Sequence, residues 1–255
     1  MKKTKLFFSF SLLLTVLFYF TIFVVIEILS RLNYLSPTLV PAPSRILSLF
    51  MDTNLNLIWS PFIETLKNSF IAYVTASALA FIAGVVLFLL PRLKNILTPL
   101  TLFFQTVPII AIAPLLVIYL GFGTITVIGA ALIVCFFPVL SATLSGLAQT
   151  SQHNIELLSF YKATRWQQMI KLNLPSAIPT VLSGLKTSAG LSVVGVVSGE
   201  FIAGGGLGGL IDSARLQQRV DLVYAALILL SLIGLLSYKI TEWVFHTTLK
   251  QYFHR

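Results

Sequence analysis

A chain of 255 residues in which 57% are hydrophobic, only 10% are charged and the mean hydropathy is +0.94 is not a water-soluble globule, where about a quarter of residues carry charge. The net charge of +9 invites a polyanionic partner, but the basic residues are scattered without an arginine stripe or basic–aromatic ladder, which argues against nucleic acid. The single cysteine, Cys135, lies in an apolar run, so an intramolecular disulfide is excluded and a cysteine-based metal site is disfavoured.

After the basic cap 1–5, residues 6–26 are apolar or hydroxylated without interruption, close to the ~20 residues that a helical span needs. Glu27 and Arg31 follow instead of a small-residue cleavage site, so the run reads as an uncleaved transmembrane helix, not a signal peptide. Glu27 is spaced to pair with Arg31 at i+4; a place in a transport path is the alternative. Residues 32–61 form an external connection punctuated by Pro37, Pro41, Pro43 and Pro61. Within it, Pro43-Ser44-Arg45 before Ile46, Leu47, Leu49 and Phe50 predicts a short interfacial amphipathic helix capped by Ser44. The second span is 62–90. Glu64 and Lys67 share a face at its outer end, and Ala72, Ala76, Ala80 and Gly84 recur every four residues, the spacing that lets helices approach closely in lipid. Pro91-Arg92-Leu93-Lys94 is a basic cytoplasmic turn. The third span, 95–120, contains Pro99, Pro108 and Pro114, with Gln105 and Thr106 beside the middle kink; such a helix belongs inside a bundle or along a cavity. A tight turn at Gly121-Phe122-Gly123 leads to the fourth span, 125–147, kinked at Pro138.

The longest polar interruption is 156–175, carrying Glu156, Lys162, Arg165 and Lys171. Asn154 is placed to cap a helix with Glu156 in its first turn and Leu157, Leu158 and Tyr161 on one face. Thr164-Arg165-Trp166-Gln167 reads as a capping box opening a second helix, with a bend near Ala163, and Pro175 ends that helix or begins the next. Two short helices projecting on the cytoplasmic side have the shape of a docking element; an amphipathic loop lying on anionic lipid is the plainer reading.

The fifth span, 175–197, holds Ser183, Gly184, Thr187, Ser188, Gly190, Ser192 and Gly195, which suits a close-packed interface or the lining of a polar path. Lys186, well inside it, has to snorkel, pair or face the bundle. Gly204, Gly206 and Gly209 satisfy G-x-G-x-x-G, but no strand precedes them and no P-loop exists in the chain, so neither dinucleotide nor ATP binding follows. These glycines read as a tight external turn whose amides Glu200 caps. Asp212, Arg215, Arg219 and Asp221 form an external mixed-charge segment before the sixth span, 222–245, and a basic tail. The arrangement puts Lys2, Lys3, Lys5, Arg92, Lys94, Lys162, Arg165, Lys171, Lys239, Lys250 and Arg255 inside, against Arg31, Arg45, Lys67, Arg215 and Arg219 outside. That bias selects an all-α, six-span membrane protein with both termini cytoplasmic. His153, His246 and His254 have no metal-ligand neighbours and the serines no paired base, so no catalytic residue and no metal site is assigned. A membrane-embedded enzyme and a solo secondary transporter are the rival classes; the first lacks a His or Asp cluster at one depth, the second an inverted repeat.

The loop has a further reading. Glu156-Leu157-Leu158, three residues, Lys162, nine residues and Leu172-Asn173-Leu174-Pro175 resemble the signature loop of the permease subunits of bacterial ABC importers: Glu-Ala-Ala, three residues, Gly, nine residues, Ile-x-Leu-Pro. Leu157 and Leu158 replace the alanines. Lys162 replaces the glycine, and so has either to bend with strain or to extend the first helix. The stretches 39–47 and 105–123, and Glu200 before the glycine-rich loop, resemble the nitrate, sulfonate, taurine and pyrimidine-precursor subgroup. The resemblance implies a type I importer permease fold with an N-terminal helix and external segment (1–61), a core (62–250) with a cytoplasmic coupling loop (151–175), and a cytoplasmic tail (251–255). It implies ATPase subunits that bind ATP and Mg, this chain binding neither, together with a periplasmic or lipid-anchored binding protein and a second permease copy in the bacterial inner membrane. ATPase coupling falls to Glu156, Leu157, Leu158, Tyr161, Lys162, Ala163, Thr164, Arg165, Leu174 and Pro175. The expected pathway residues are Gln105, Thr106, Pro108, Ser188, Ser192 and Glu200.

Overall fold

The computed structural model describes residues 2–32, 34, 36, 39–51 and 56–253, without the side chains at 2–13, 16, 56, 98, 100–102, 104, 105 and 248–253. The described residues form helices α1 (Lys2–Arg31), α2 (Pro43–Met51), α3 (Asn56–Leu89), α4 (Pro91–Thr106), α5 (Ile109–Leu120) and α6 (Thr124–Ala148). There follow α7 (Gln152–Phe160), α8 (Arg165–Gln168), a π-helical turn (Met169–Asn173), α9 (Leu174–Ala203), α10 (Gly206–Leu216) and α11 (Val220–Phe253). Among the described residues four helical stretches are long and apolar enough to cross a membrane: Leu57–Leu89, Thr124–Ala148, Arg165–Ala203 and Val220–Thr247. The other two predicted spans correspond to α1 and to α4 with α5.

The third span is not continuous. Val107 and Pro108 are extended, with ψ 124° and 120°, and separate α4 from the 12-residue α5. Pro108 donates no N–H and pushes the residue before it out of helical conformation, so the helix stops there. Pro99, Pro114 and Pro138 stay within helices. The second span begins earlier than expected, at Asn56, and holds Pro61 inside it.

The centre of the bundle is the antiparallel pair α6 and α9, which pack backbone to backbone. A Cβ added at Gly195 would lie 2.5 Å from Ala131 Cα, and one at Gly199 2.8 Å from Val127 Cα. Between them the Ser188 hydroxyl donates to the Cys135 carbonyl at 3.1 Å. Much of the small-residue content of the fifth span is therefore spent on close approach. Ala72, Ala76 and Ala80 of α3 are fully buried, and Gly84 lies against Thr143 of α6. A second cluster joins α10 and α11 through Leu207, Ala214, Leu222 and Ile233.

Charged side chains bind the outlying helices. Glu27 of α1, not Ser44, caps α2: its carboxylate accepts the Ser44 N–H at 2.9 Å and the Ser44 hydroxyl at 2.7 Å. Arg31 also pairs with Glu27, at 2.5 Å, as its spacing predicts. Arg45 of α2 reaches Asp221 at the start of α11 at 3.4 Å. Lys186 resolves its burial by pairing with Glu242 of α11 at 2.9 Å, an acceptor it shares with Lys239.

Candidate functional site

The interruption between α6 and α9 folds as two short helices at an angle. Ser151, not Asn154, is the N-cap of α7; its hydroxyl accepts the Asn154 N–H at 3.4 Å. Glu156 therefore sits in the second turn, where Gln152 donates to it at 3.3 Å. Tyr161 lies just past the helix. It is 73% exposed, beside Phe160 at 84% and Leu157 at 51%, while Leu158 is half-buried. This concentration of exposed apolar area on a polar loop, extended by Trp166 on α8, marks a surface suited to a protein partner.

Lys162 takes the bend. Its φ of 55° is left-handed, and its N–H bonds Ser159 O at 2.9 Å while the Ala163 N–H bonds Leu158 O at 3.0 Å. This is the paired-bond helix ending usually built on glycine. Lys162 thus adopts the bend and does not extend α7. Lys162→Gly should remove a left-handed penalty of about 1–2 kcal/mol while adding about 0.5–1 kcal/mol of chain entropy, a net gain of about 0–1.5 kcal/mol. The check is thermal unfolding of the purified chain; a loss of stability would show that Lys162 makes a compensating contact.

Thr164 opens α8 with the capping box the sequence predicts: the Thr164 N–H donates to Gln167 Oε1 at 2.8 Å, and the Gln167 N–H to Thr164 Oγ1 at 3.3 Å. Arg165 is exposed in the first position of α8. The chain then widens into the π turn. Pro175 lacks the N–H that the Lys171 carbonyl would take and its ring crowds that carbonyl, which the wider register relieves. Pro175 lies in the first turn of α9, directly after Leu174. Asn173 fastens this hinge to the end of α6 by donating to Leu147 O at 3.1 Å and Thr150 Oγ1 at 3.2 Å. Met169, 1% exposed, packs with Leu147, Ala177 and Val181. Asn173 was not anticipated; its signal is a buried amide immediately before Leu174-Pro175.

At the far end of α9, three successive N–H groups of the first turn of α10 are each taken by another helix. The Gly206 N–H donates to Glu64 Oε2 at 3.0 Å, the Leu207 N–H to Thr65 Oγ1 at 2.8 Å and the Gly208 N–H to Glu200 Oε2 at 3.0 Å. Thr65 in turn donates its hydroxyl to Glu200. Glu64 serves this turn and does not pair with Lys67. Glu200 is fully buried and caps amides, as the sequence suggests for it. Gly206 has φ 53°, and a Cβ there would run into the Glu200 carboxylate. Thr65 was not singled out from sequence because a lone Thr in a span carries no pattern.

The expected pathway residues do not converge. Gln105 lies outside the residues whose side chains are described. Thr106 and Pro108 are exposed at the α4–α5 break, the Thr106 hydroxyl donating to Phe103 O at 2.7 Å. Ser188 and Ser192 are sealed inside the bundle, 0% and 1% exposed. Beside the break is a cavity of about 360 Å³ lined by Val107, Ile109, Val134, Phe137, Pro138 and Leu191 among others. None of Ser188, Ser192 and Glu200 lines it. Among the described residues no cluster of His, Cys, Asp and Glu has metal-site geometry.

A multi-pass helical bundle with a jointed polar loop between two apposed central helices is the architecture of a transport subunit. Residues 76–248 match the family of binding-protein-dependent transport system inner membrane components, and the chain belongs to that family. It is 30% identical over 233 residues to the formylaminopyrimidine transport permease protein ThiX of Halalkalibacterium halodurans, covering 90% of this chain and 92% of the relative. It is 29% identical over 217 residues to the taurine transport system permease protein TauC of Escherichia coli, covering 81% and 78%. The inward-facing MetNI methionine ABC transporter shares the fold, with a TM-score of 0.66 at 18% identity over 76% of this chain and 96% of that one. The chain is an ABC importer permease, with a transport and not a catalytic role.

Proposed function

We propose that the chain forms the translocation path of an ATP-driven importer of small solutes, and that residues 151–175 dock into separate ATPase subunits, which bind the ATP and Mg. The observation that carries this is the loop itself. Its exposed Leu157, Phe160, Tyr161 and Trp166 stand beside Glu156 and Arg165, while Asn173 and the π turn join it rigidly to α6 and α9. Motion of the docked loop therefore passes through Leu174 and Pro175 into α9. Two copies of the chain pair in the bacterial inner membrane with both termini cytoplasmic. A periplasmic or lipid-anchored binding protein docks at the opposite face, where Asp212, Arg215 and Arg219 cluster.

Glu156→Lys and Leu158→Asp test the docking. Each is expected to insert normally and to lower ATP-dependent uptake tenfold or more, the equivalent of about 1.4 kcal/mol of lost coupling, while ATP hydrolysis continues. Uptake at the parental rate in both variants would overturn the docking assignment.

A further inference from the structure

Two donors lie buried beside the contacts that hold α10, with nothing to bond. Thr65, Asn68, Ser69 and Ala72 form one buried face of α3 at helical spacing. Thr65 takes part in the contacts to α10, and Ala72 packs with Val127 and Val196. Between them the Asn68 Nδ2 and the Ser69 hydroxyl, on residues 2% and 1% exposed, have no hydrogen-bond partner among the described residues. The Asn68 amide faces the Glu200 carboxylate without closing a hydrogen bond to it. We propose that Glu200 is a two-position switch in the transport cycle: its carboxylate holds α10 through Thr65 and Gly208, and moves one turn along α3 to Asn68 and Ser69 when α10 is released. The proposal rests on the permease reading above and names a moving part of it.

A buried donor without an acceptor raises the energy of the state that leaves it so, and favours any state that pairs it. Glu200 accepts the Thr65 hydroxyl and the Gly208 N–H, and no cation pairs with it among the described residues. Moving to Asn68 and Ser69 exchanges one hydroxyl and one N–H donor for another such pair, so the carboxylate is satisfied in either position. The direction of travel follows from the packing. Thr65 meets Glu200, Ala72 meets Val196, and Phe81 and Val85 meet Ala177 and Val181, so α3 and α9 run antiparallel. A shift of α9 toward its own start, the end joined to the coupling loop, carries Glu200 from Thr65 toward Asn68. The chain that has to give is glycine: Gly204, Gly205 and Gly206 have φ of 82°, 88° and 53°. Glycine moves between such conformations without the penalty that a Cβ imposes.

The test uses the whole importer, with its ATPase subunits and binding protein, purified from membranes of the native host into nanodiscs. Amide hydrogen exchange is followed on a peptide covering residues 206–208, at rest and after trapping with Mg, ATP and vanadate. In the parent, trapping is expected to speed exchange of these amides about tenfold, because release of α10 exposes them. Asn68→Leu keeps the side-chain size and removes the donor. Its thermal midpoint and its resting exchange should be no worse than the parent's, and at equal trapped nucleotide the acceleration should fall below about twofold. Unchanged exchange in the trapped parent, the parental acceleration in Asn68→Leu, or faster resting exchange in that variant overturns the proposal; the last result makes Asn68 an ordinary support of the resting contacts. If the Asn68→Leu chain does not insert, Asn68→Ala is read in the same way. The permease reading fails by a different result: no ATPase subunit retained with the parent chain and no nucleotide trapped.

Discussion

Replacing Glu200 by alanine is expected to destabilise the folded chain by about 3 kcal/mol, the sum of donors left without partners in a site closed to water. Glu200 is fully buried and its carboxylate accepts the Thr65 hydroxyl and the Gly208 N–H. Its loss strands the Gly208 N–H and frees Thr65, which also holds the Leu207 N–H. The start of α10 would then be held only by Glu64 at Gly206 and by a less firmly oriented Thr65 at Leu207. Glu200→Gln retains one acceptor but turns an amino group toward a donor, so it should fall between the parent and the alanine variant. The measurement is the thermal midpoint of the detergent-purified chain, with Thr65→Val and the double variant completing a cycle. A coupling of about 0.5–3 kcal/mol is the expected signature of a shared network. Strict additivity of the two single changes would show that they act separately.

Gly195→Val should be at least as damaging, about 3 kcal/mol or more, because the obstruction is main chain. The added Cβ would sit 2.5 Å from Ala131 Cα and 3.1 Å from Ala131 Cβ. No rotamer relieves that contact; α6 and α9 have to separate, opening the Ser188–Cys135 bond and its neighbours. Gly190 on the same helix is the control, since a Cβ there meets nothing within 4 Å. Gly190→Ala should be close to neutral or slightly stabilising through helix propensity. The yield of monodisperse protein after solubilisation and its thermal midpoint separate the two. Equal behaviour of Gly195→Val and Gly190→Ala would contradict the close α6–α9 packing.

Local signals were read well where the interaction was local. The Thr164–Gln167 capping box and the Glu27–Arg31 pair depend on atoms three or four residues apart, and both are present. The Asn154 and Ser44 caps failed for different reasons. Asn154 lost to Ser151, a better-placed oxygen three residues upstream. Ser44 was displaced by Glu27, which lies seventeen residues away and enters only because α1 folds back beside α2. The proline-kinked third span was visible as three prolines, yet which of them breaks the helix was not. Pro99 and Pro114 are absorbed within helices, and only the Val107–Pro108 step is extended.

Composition and the apolar run lengths by themselves determined a helical multi-pass membrane chain with a jointed polar loop, and the resemblance of Glu156–Pro175 to the importer signature implied its transport role. These properties are one-dimensional, since burial in lipid demands long uncharged runs and satisfied backbone whatever the neighbours are. Only the tertiary structure decided how the small and polar residues of α9 are used. Ser188 and Ser192 sit in the seam with α6, Glu200 in the latch on α10 and Lys186 against Glu242, while the apolar Val134, Phe137 and Leu191 border the cavity. A hydroxyl in a span reads the same whether it faces water, lipid or another backbone, and the difference lies in which helix approaches it, and how closely.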